Sequence, residues 1–313
     1  MRDAFAEVLG ELSEVRSDLF LVTADISPAS ALVRFVKNNP TRVIDAGVSE
    51  QVMIGICAGL AMEGFRPFAY TIASFSVFRP FEQLRVDLSY QNLPVIVMGV
   101  GAGLSYSALG GTHHSPEDIA IISTLPNFRI YTPVDPNEVK LAVKNALSYD
   151  GPSYIRLGKS GEPDLTSKLD EKYDFGICRL IHRGIGFDSL KIAIISYGPI
   201  VGWILESVKN NLIVRDVDIY AVTTISPLPE DSLNEIFEKY DKVIVIEEHY
   251  EILGLASMIK TKINASIWYG KLCQCGLSFN WSHTYGTQSD IRENLGLTTQ
   301  KINHLLDGGN YGD

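Results

Sequence analysis

Two hydrophobic patterns alternate along the first half of this chain. Short, almost unbroken apolar runs recur at Leu19–Thr23, Val43–Asp45, Pro67–Tyr70, Pro94–Val100, Phe128–Tyr131 and Ser153–Leu157. Between them lie longer stretches with helical spacing, near 2–16, 29–38, 50–63, 80–91, 116–125 and 136–149. A run such as Val-Ile-Val-Met-Gly-Val at 95–100 has no polar alternation, so it reads as a strand buried on both faces. Strands that alternate with helices predict a parallel sheet with right-handed crossovers and helices on both sides.

The pattern breaks at 158–189, a stretch rich in Gly, Asp, Ser and Lys, with room for a short strand. It resumes at Lys191 with strands expected at 192–198, 218–222, 242–248 and 265–269. Helices are expected near 199–210, 230–240 and 253–263, and a closing pair near 287–295 and 298–306. The expected fold class is α/β: two three-layer α/β/α domains, residues 1–160 and 189–313, joined by a linker over 161–188.

One stretch, Asp45–Gly64, stands apart. A polar turn ends in Ser49-Glu50, and the nearly wholly apolar segment Val52–Met62 follows, with small residues at Gly55, Ala58, Gly59 and Ala61. It is too short for a membrane span and reads as a helix buried on all sides. Glu50 falls in its first turn, where the helix dipole favours a negative charge and Ser49 is a candidate cap.

In an open parallel sheet, ligands bind outside the carboxyl ends of the strands. Three loops at that edge carry unusual residues. The first holds Glu50. The second, 71–79, holds Phe75 and Phe78 and ends in Arg79. The third, 101–118, is glycine-rich and holds His113 and His114. Singly, each has a plain reading: a helix-end charge, core phenylalanines, solvated or capping histidines, with Ser115-Pro116-Glu117-Asp118 a helix start. Together they suggest a flat, basic heteroaromatic ring held by stacking and protonated by an acid. No phosphate-cradling loop is evident, so a phosphate-bearing part of such a ligand would bind elsewhere.

Composition narrows the setting. A hydrophobic fraction of 46% and a charged fraction of 20% describe a globular protein with ample core. The net charge of -10, with no basic run, argues against a nucleic-acid surface. Four cysteines in mostly apolar surroundings fit a reducing compartment, and Cys273-x-Cys275 is too tight for a zinc pair. The first fifteen residues form an amphipathic helix pattern rather than a signal peptide. A cytoplasmic protein without membrane contact is expected.

Five ordered motifs resemble the transketolase type of thiamine diphosphate enzyme. They are Asp45-Ala46-Gly47-Val48-Ser49-Glu50-Gln51, Ala58-Gly59-Leu60-Ala61-x-x-Gly64, Phe81-Glu82-Gln83-Leu84-Arg85, Gly111-Thr112-His113 and Tyr131-x-Pro133-x-Asp135. The resemblance covers essentially the whole chain. It implies a pyrimidine-binding domain followed by the family's C-terminal domain, without the diphosphate-binding domain. The chain thus looks like the C-terminal subunit of a split transketolase.

The resemblance also implies roles. Glu50 matches the catalytic glutamate, which hydrogen-bonds N1′ of the cofactor aminopyrimidine and favours its imino tautomer. Phe75 matches the aromatic that stacks on that ring, with Phe78 and Ile72 as further pocket walls. His113 matches the histidine that contacts donor or acceptor hydroxyls, whereas His114 has no such counterpart. Arg2 matches an N-terminal arginine of the substrate site, and Lys159 stands where an arginine is usual. Thiamine diphosphate and Mg²⁺ are implied as cofactors, with the metal and diphosphate ligands on a partner chain and an α2β2 heterotetramer as the assembly. The apolar helix would then lie near a two-fold axis.

Departures from the family pattern bear on substrate. Leu109 stands where an aspartate reads a donor hydroxyl, and Gly101 where a histidine contacts phosphate. Ala29 occupies the place of a phosphate-contacting serine, with Ser30 one step on. A phosphate site reduced to Arg2 and Lys159 would be weaker, since lysine lacks the bidentate fork of arginine. The sugar substrate is therefore expected to be atypical, or the partner to supply the missing contacts. Alternative readings are the beta subunit of a 2-oxoacid dehydrogenase, a 1-deoxyxylulose-5-phosphate synthase-like enzyme, in which an arginine is usual where Ala102 stands, and a degenerate regulatory subunit. Glu247-Glu248-His249 reads as a strand-end turn of the organisational second domain.

Overall fold

A computed structural model describes residues 1–26, 30–166, 175–186 and 190–309. The strands are β1 (Leu19–Thr23), β2 (Val43–Asp45), β3 (Arg66–Ile72), β4 (Ile96–Val100), β5 (Arg129–Tyr131) and β6 (Ser153–Leu157). They continue with β7 (Cys178–His182), β8 (Ile192–Ser196), β9 (Asp218–Val222), β10 (Thr224–Ser226), β11 (Lys242–Tyr250) and β12 (Leu272–Leu277). The fold is α/β with two sheets. The first has the order β10-β5-β6-β4-β3-β1-β2, and the second β12-β11-β8-β9-β7. Each is parallel except for one antiparallel edge strand, β10 on β5 and β7 on β9.

The β4 and β6 strands are buried along their whole length, as unbroken apolar runs require. Helices α1 (Arg2–Val15), α2 (Ser30–Asn38) and Pro136–Leu147 cover one face of the first sheet. Asp135 starts the last of these by accepting from the Glu138 amide at 2.9 Å, with Pro136 at the first helical position. Helix α3 (Glu50–Met62), the Ala73–Val77 helix, the π-helical Leu84–Tyr90 turn and Asp118–Ile122 cover the other face. The chain leaves β1 toward β2 at one edge and returns to β3 on the opposite side of β1. That reversal opens a crevice at the carboxyl ends of β1 and β3.

Several elements differ from expectation. The 265–269 run is a one-turn helix, Ala265–Trp268, because the Asn264 side chain caps the Ser266 amide at 3.0 Å. The strand falls later, on β12, with Cys273 and Cys275 as free thiols. Strand β10 comes from the second half of the chain yet completes the first sheet. Helix α3 is not buried on all sides. Its inner face packs in the core, while Gln51, Val52, Gly55, Gly59 and Met62 form an exposed stripe. The physical reason is geometric: one sheet and its neighbouring helices reach only one side of a helix at the molecular edge.

A buried ion network joins the two sheets. Arg156, on β6, donates through Nε to Asp118 at 3.0 Å and through Nη2 to the Glu248 carbonyl at 3.3 Å. Tyr154 donates its hydroxyl to Asp118 at 2.7 Å. Glu248, on β11, accepts from Arg292 at 2.7 Å, from Gln288 at 2.8 Å and from the Leu104 amide at 3.1 Å. Glu247 instead accepts from the Leu255 amide at 2.7 Å and the Tyr197 hydroxyl at 3.1 Å, and burial pushes its carboxyl up to about 7. Asp118 therefore faces inward and does not cap the helix it begins.

These buried groups set measurable stabilities. Asp118→Asn strands the Arg156 charge and should cost about 3–5 kcal/mol in chemical denaturation. His249 is buried and donates through Nδ1 to the Tyr250 carbonyl at 2.7 Å, and burial pushes its imidazole down to about 4. The unfolded chain takes up this proton near pH 6.5, the fold only near 4, so the stability present above 6.5 is lost as pH falls through that window. The stability difference between wild type and His249→Leu should therefore change by about 3 kcal/mol between neutral pH and pH 4, measured by denaturation as a function of pH.

Candidate active site

The carboxyl end of β2 organises the loop that delivers Glu50. The Asp45 side chain accepts from the Asp25 amide at 3.1 Å and from the Gly47 amide at 3.0 Å, tying the loops after β1 and β2 together. Ser49 precedes α3 without a side-chain cap bond, so Glu50 is the polar side chain at this helix entrance. Its carboxylate is almost wholly buried.

Phe75 sits on the Ala73–Val77 helix, which begins where β3 ends, so this segment is a helical turn rather than the loop expected. Ser74 donates to the Thr112 carbonyl at 3.3 Å, which holds the glycine-rich loop against that helix. His113 is thereby placed with its ring centroid 5.0 Å from that of Phe75. Thr112 and His113 share a hydrogen bond of 2.9 Å between Oγ1 and Nδ1. Burial, then the charges of Arg79 and His114, lower the affinity of His113 for a proton. His114 is buried and bonds to the Ser107 carbonyl at 3.2 Å, away from this group.

Arg79 joins these residues, and the sequence pattern assigned it no role. Its Nη1 donates to Glu50 Oε1 at 2.6 Å, and its guanidinium carbon lies 3.7 Å from the Phe75 ring centroid. A charged residue that follows two phenylalanines at helical spacing was the available signal. Ile72 ends β3, and Phe78 packs into the core below.

A second group continues from His113. Tyr106 lies with its ring centroid 5.9 Å from that of His113, and the Lys159 ammonium is 5.0 Å from the Tyr106 ring. Arg2 donates to the Tyr70 hydroxyl at 3.1 Å and feels the Tyr106 hydroxyl electrostatically. Arg2 and Lys159 thus each stand beside a tyrosine, Tyr70 and Tyr106 respectively, that no sequence motif singles out. The side chain of Ser30 lies outside the described residues. The space opposite Gly101 is filled: a Cβ there would run into the Tyr106 ring, on a backbone with φ +68°. A histidine has no room at this position. Two aromatics of the second domain close the outer side, since a Cβ on Gly110 would lie 3.1 Å from Tyr285 and one on Gly111 3.8 Å from Trp281. Three aromatics within 279–285 were the sequence signal for this wall.

This geometry can hold a planar, basic ring between a buried carboxylate, an aromatic face and a histidine. Residues 1–162 match the family described as "Transketolase, pyrimidine binding domain", and residues 188–302 match "Transketolase, C-terminal domain". The chain is 32% identical to an apulose-4-phosphate transketolase subunit of Phocaeicola vulgatus, over 82% of its own length and 81% of that protein. It is 30% identical to the 6-deoxy-6-sulfo-D-fructose transketolase subunit SqwH of Clostridium sp. (strain MSTE9), over 96% and 92% of the two chains. A solved structure described as "Split gene transketolase, inactive beta4 tetramer" superposes with a TM-score of 0.83 at 27% identity, covering 98% and 96%. The chain belongs to the thiamine diphosphate-dependent transketolase family. Within it, the chain corresponds to the C-terminal subunit of a split transketolase.

The filled space at Gly101 generates a prediction. Gly101→Ala should cost at least about 1–2 kcal/mol through backbone strain alone, with more from the clash. Removing the ring in Gly101→Ala/Tyr106→Ala should recover the clash part, so a double-mutant cycle should show coupling of about 1 kcal/mol or more.

Proposed function

We propose that this chain supplies the aminopyrimidine-binding half of a two-chain transketolase that moves a two-carbon ketol unit from a ketose to an aldose. The observation that carries this reading is the buried Glu50 carboxylate beside the Phe75 face and His113, at the crevice where the strand order reverses. Thiamine diphosphate, when bound, would supply the electron sink for breaking the carbon–carbon bond next to a ketose carbonyl. The residues present fit its pyrimidine, because Phe75 already carries a planar cation that is hydrogen-bonded to Glu50.

Glu50 would hold the proton at ring nitrogen N1′, and its burial keeps competing water away. Phe75 would carry the ring on its face, with Ile72 beside it and Phe78 supporting that wall from the core below. His113 would hydrogen-bond the hydroxyls of donor or acceptor. Arg2 and Lys159, with Ser30, would take an anionic end of the sugar. The diphosphate and Mg²⁺ would be held by a separate diphosphate-binding subunit, so the chain alone would be inactive. The exposed apolar stripe on α3 would close against a second copy in an α2β2 heterotetramer. A cytoplasmic setting fits the free thiols.

The substrate would be an atypical ketose. With Tyr106 against Gly101 and half-exposed Leu109 on the same loop, the site offers fewer fixed polar contacts than an ordinary sugar-phosphate site needs. Two relatives are named for sugars other than the ordinary pentose phosphates, apulose 4-phosphate and 6-deoxy-6-sulfo-D-fructose, which supports an atypical ketose.

Glu50→Gln should lower turnover of the reconstituted two-chain complex by about 10²–10⁴-fold without unfolding the chain. Intact turnover in that variant would sink the catalytic reading. Steady-state comparison of xylulose 5-phosphate with other ketoses, phosphorylated and not, tests the substrate. A strong preference for xylulose 5-phosphate, with contacts from these loops, would overturn the atypical assignment.

A further inference from the structure

Arg79 has no role in the ketol-transfer reading above, yet it contacts both Glu50 and Phe75. It bonds Glu50 at 2.6 Å and lies over Phe75 at a centroid distance of 3.7 Å. Its charge adds to burial in lowering the proton affinity of His113. Its side chain is 45% exposed, whereas that of Glu50 is 6% exposed. Apart from the Glu50 bond, the helix that carries Glu50 also holds Arg79 by its backbone, through a bond of 3.3 Å from the Gln51 side-chain amide to the Arg79 carbonyl. With its backbone held and its side chain half-exposed, the guanidinium can turn into solvent by giving up only Glu50 and Phe75, without disturbing the core.

A guanidinium and an aminopyrimidine share the features this site selects. Both are flat, both stack on an aromatic face, and both present N–H groups or a proton to a carboxylate at their edge. At 3.7 Å the guanidinium is in van der Waals contact with the ring, so nothing else fits on that face of Phe75 while it is there. A buried carboxylate left without a partner is costly, and Arg79 removes that cost in the chain without cofactor.

We propose that Arg79 is a built-in stand-in for the cofactor aminopyrimidine: it occupies Glu50 and Phe75 in the cofactor-free subunit and swings outward when the ring enters. The device rests on the thiamine diphosphate reading. It keeps the buried carboxylate neutralised before assembly, and it sets cofactor affinity by competition, because only the fraction of subunits with Arg79 turned away can accept the ring. Arg79 is thus a positioning residue for an empty site and a competitor for a filled one.

The test measures two quantities in wild type, Arg79→Met and Arg79→Lys. The first is the thermal midpoint of this chain alone. The second is the affinity of the complex with its diphosphate-binding subunit for thiamine diphosphate, by titration calorimetry. Arg79→Met keeps much of the length of the side chain and removes its charge, so the chain alone should melt several degrees lower. The complex should bind thiamine diphosphate about tenfold more tightly. Arg79→Lys, which keeps the charge and loses the flat stacking surface, should fall between. Unchanged or weaker cofactor binding by Arg79→Met, with wild type binding normally, would overturn the stand-in role and leave the thiamine diphosphate reading intact. A wild-type complex that binds no thiamine diphosphate would overturn both.

Discussion

The guanidinium of Arg156 is the constraint on which this structure turns. It is sealed between the two sheets, with Asp118 as its counter-ion and the Glu248 carbonyl beyond. A charge in that position tolerates little displacement, because any shift leaves it desolvated and unpaired. Gly103 threads the same place: a Cβ there would come within 2.5 Å of a Glu248 oxygen and 3.1 Å of Arg156. The loop that begins at Gly101 is therefore fixed at its root by the second domain, through Glu248 and the Leu104 amide. His113 stands at the far end of that loop. The second domain thus helps shape the site through the loop root and through Tyr285 and Trp281 at the rim.

The other end of the site is governed by the reverse situation. Glu50 is a buried carboxylate whose neutralising group comes from a half-exposed side chain. A permanent structural pair would be walled in, as Asp118 and Arg156 are. The Glu50–Arg79 pair is buried on the carboxylate side and open on the guanidinium side. That asymmetry suits a site meant to exchange its occupant. It also fits a chain that carries one half of a crevice, with an apolar helix face still uncovered beside it.

Much was legible in the sequence, for local reasons. Parallel strands buried on both faces leave unbroken apolar runs, and β1 and β6 fall where those runs are. Loops at one sheet edge follow from the alternation itself, so Glu50, Phe75 and His113 belong to one place on sequence grounds alone. Mistakes came where a local signal competes with a distant one. The aromatic and β-branched run at 265–269 resembles a strand, but the Asn264 cap and the pairing needs of β11 move the strand to β12. Helix α3 is apolar on every side, and its composition alone does not distinguish core from a face awaiting a partner.

What the sequence determined by itself was the α/β class, the order of most elements and the chemistry gathered at the crevice, because periodicity and motif spacing are properties of neighbouring residues. What only the tertiary structure decided was who meets whom across the fold. The seating of Arg79 on Phe75, the filling of the space at Gly101 by Tyr106, the seventh strand borrowed from the second half and the Arg156 lock all join segments brought together by folding. Such contacts depend on distances of a few ångströms between side chains whose spacing along the chain carries no record of them.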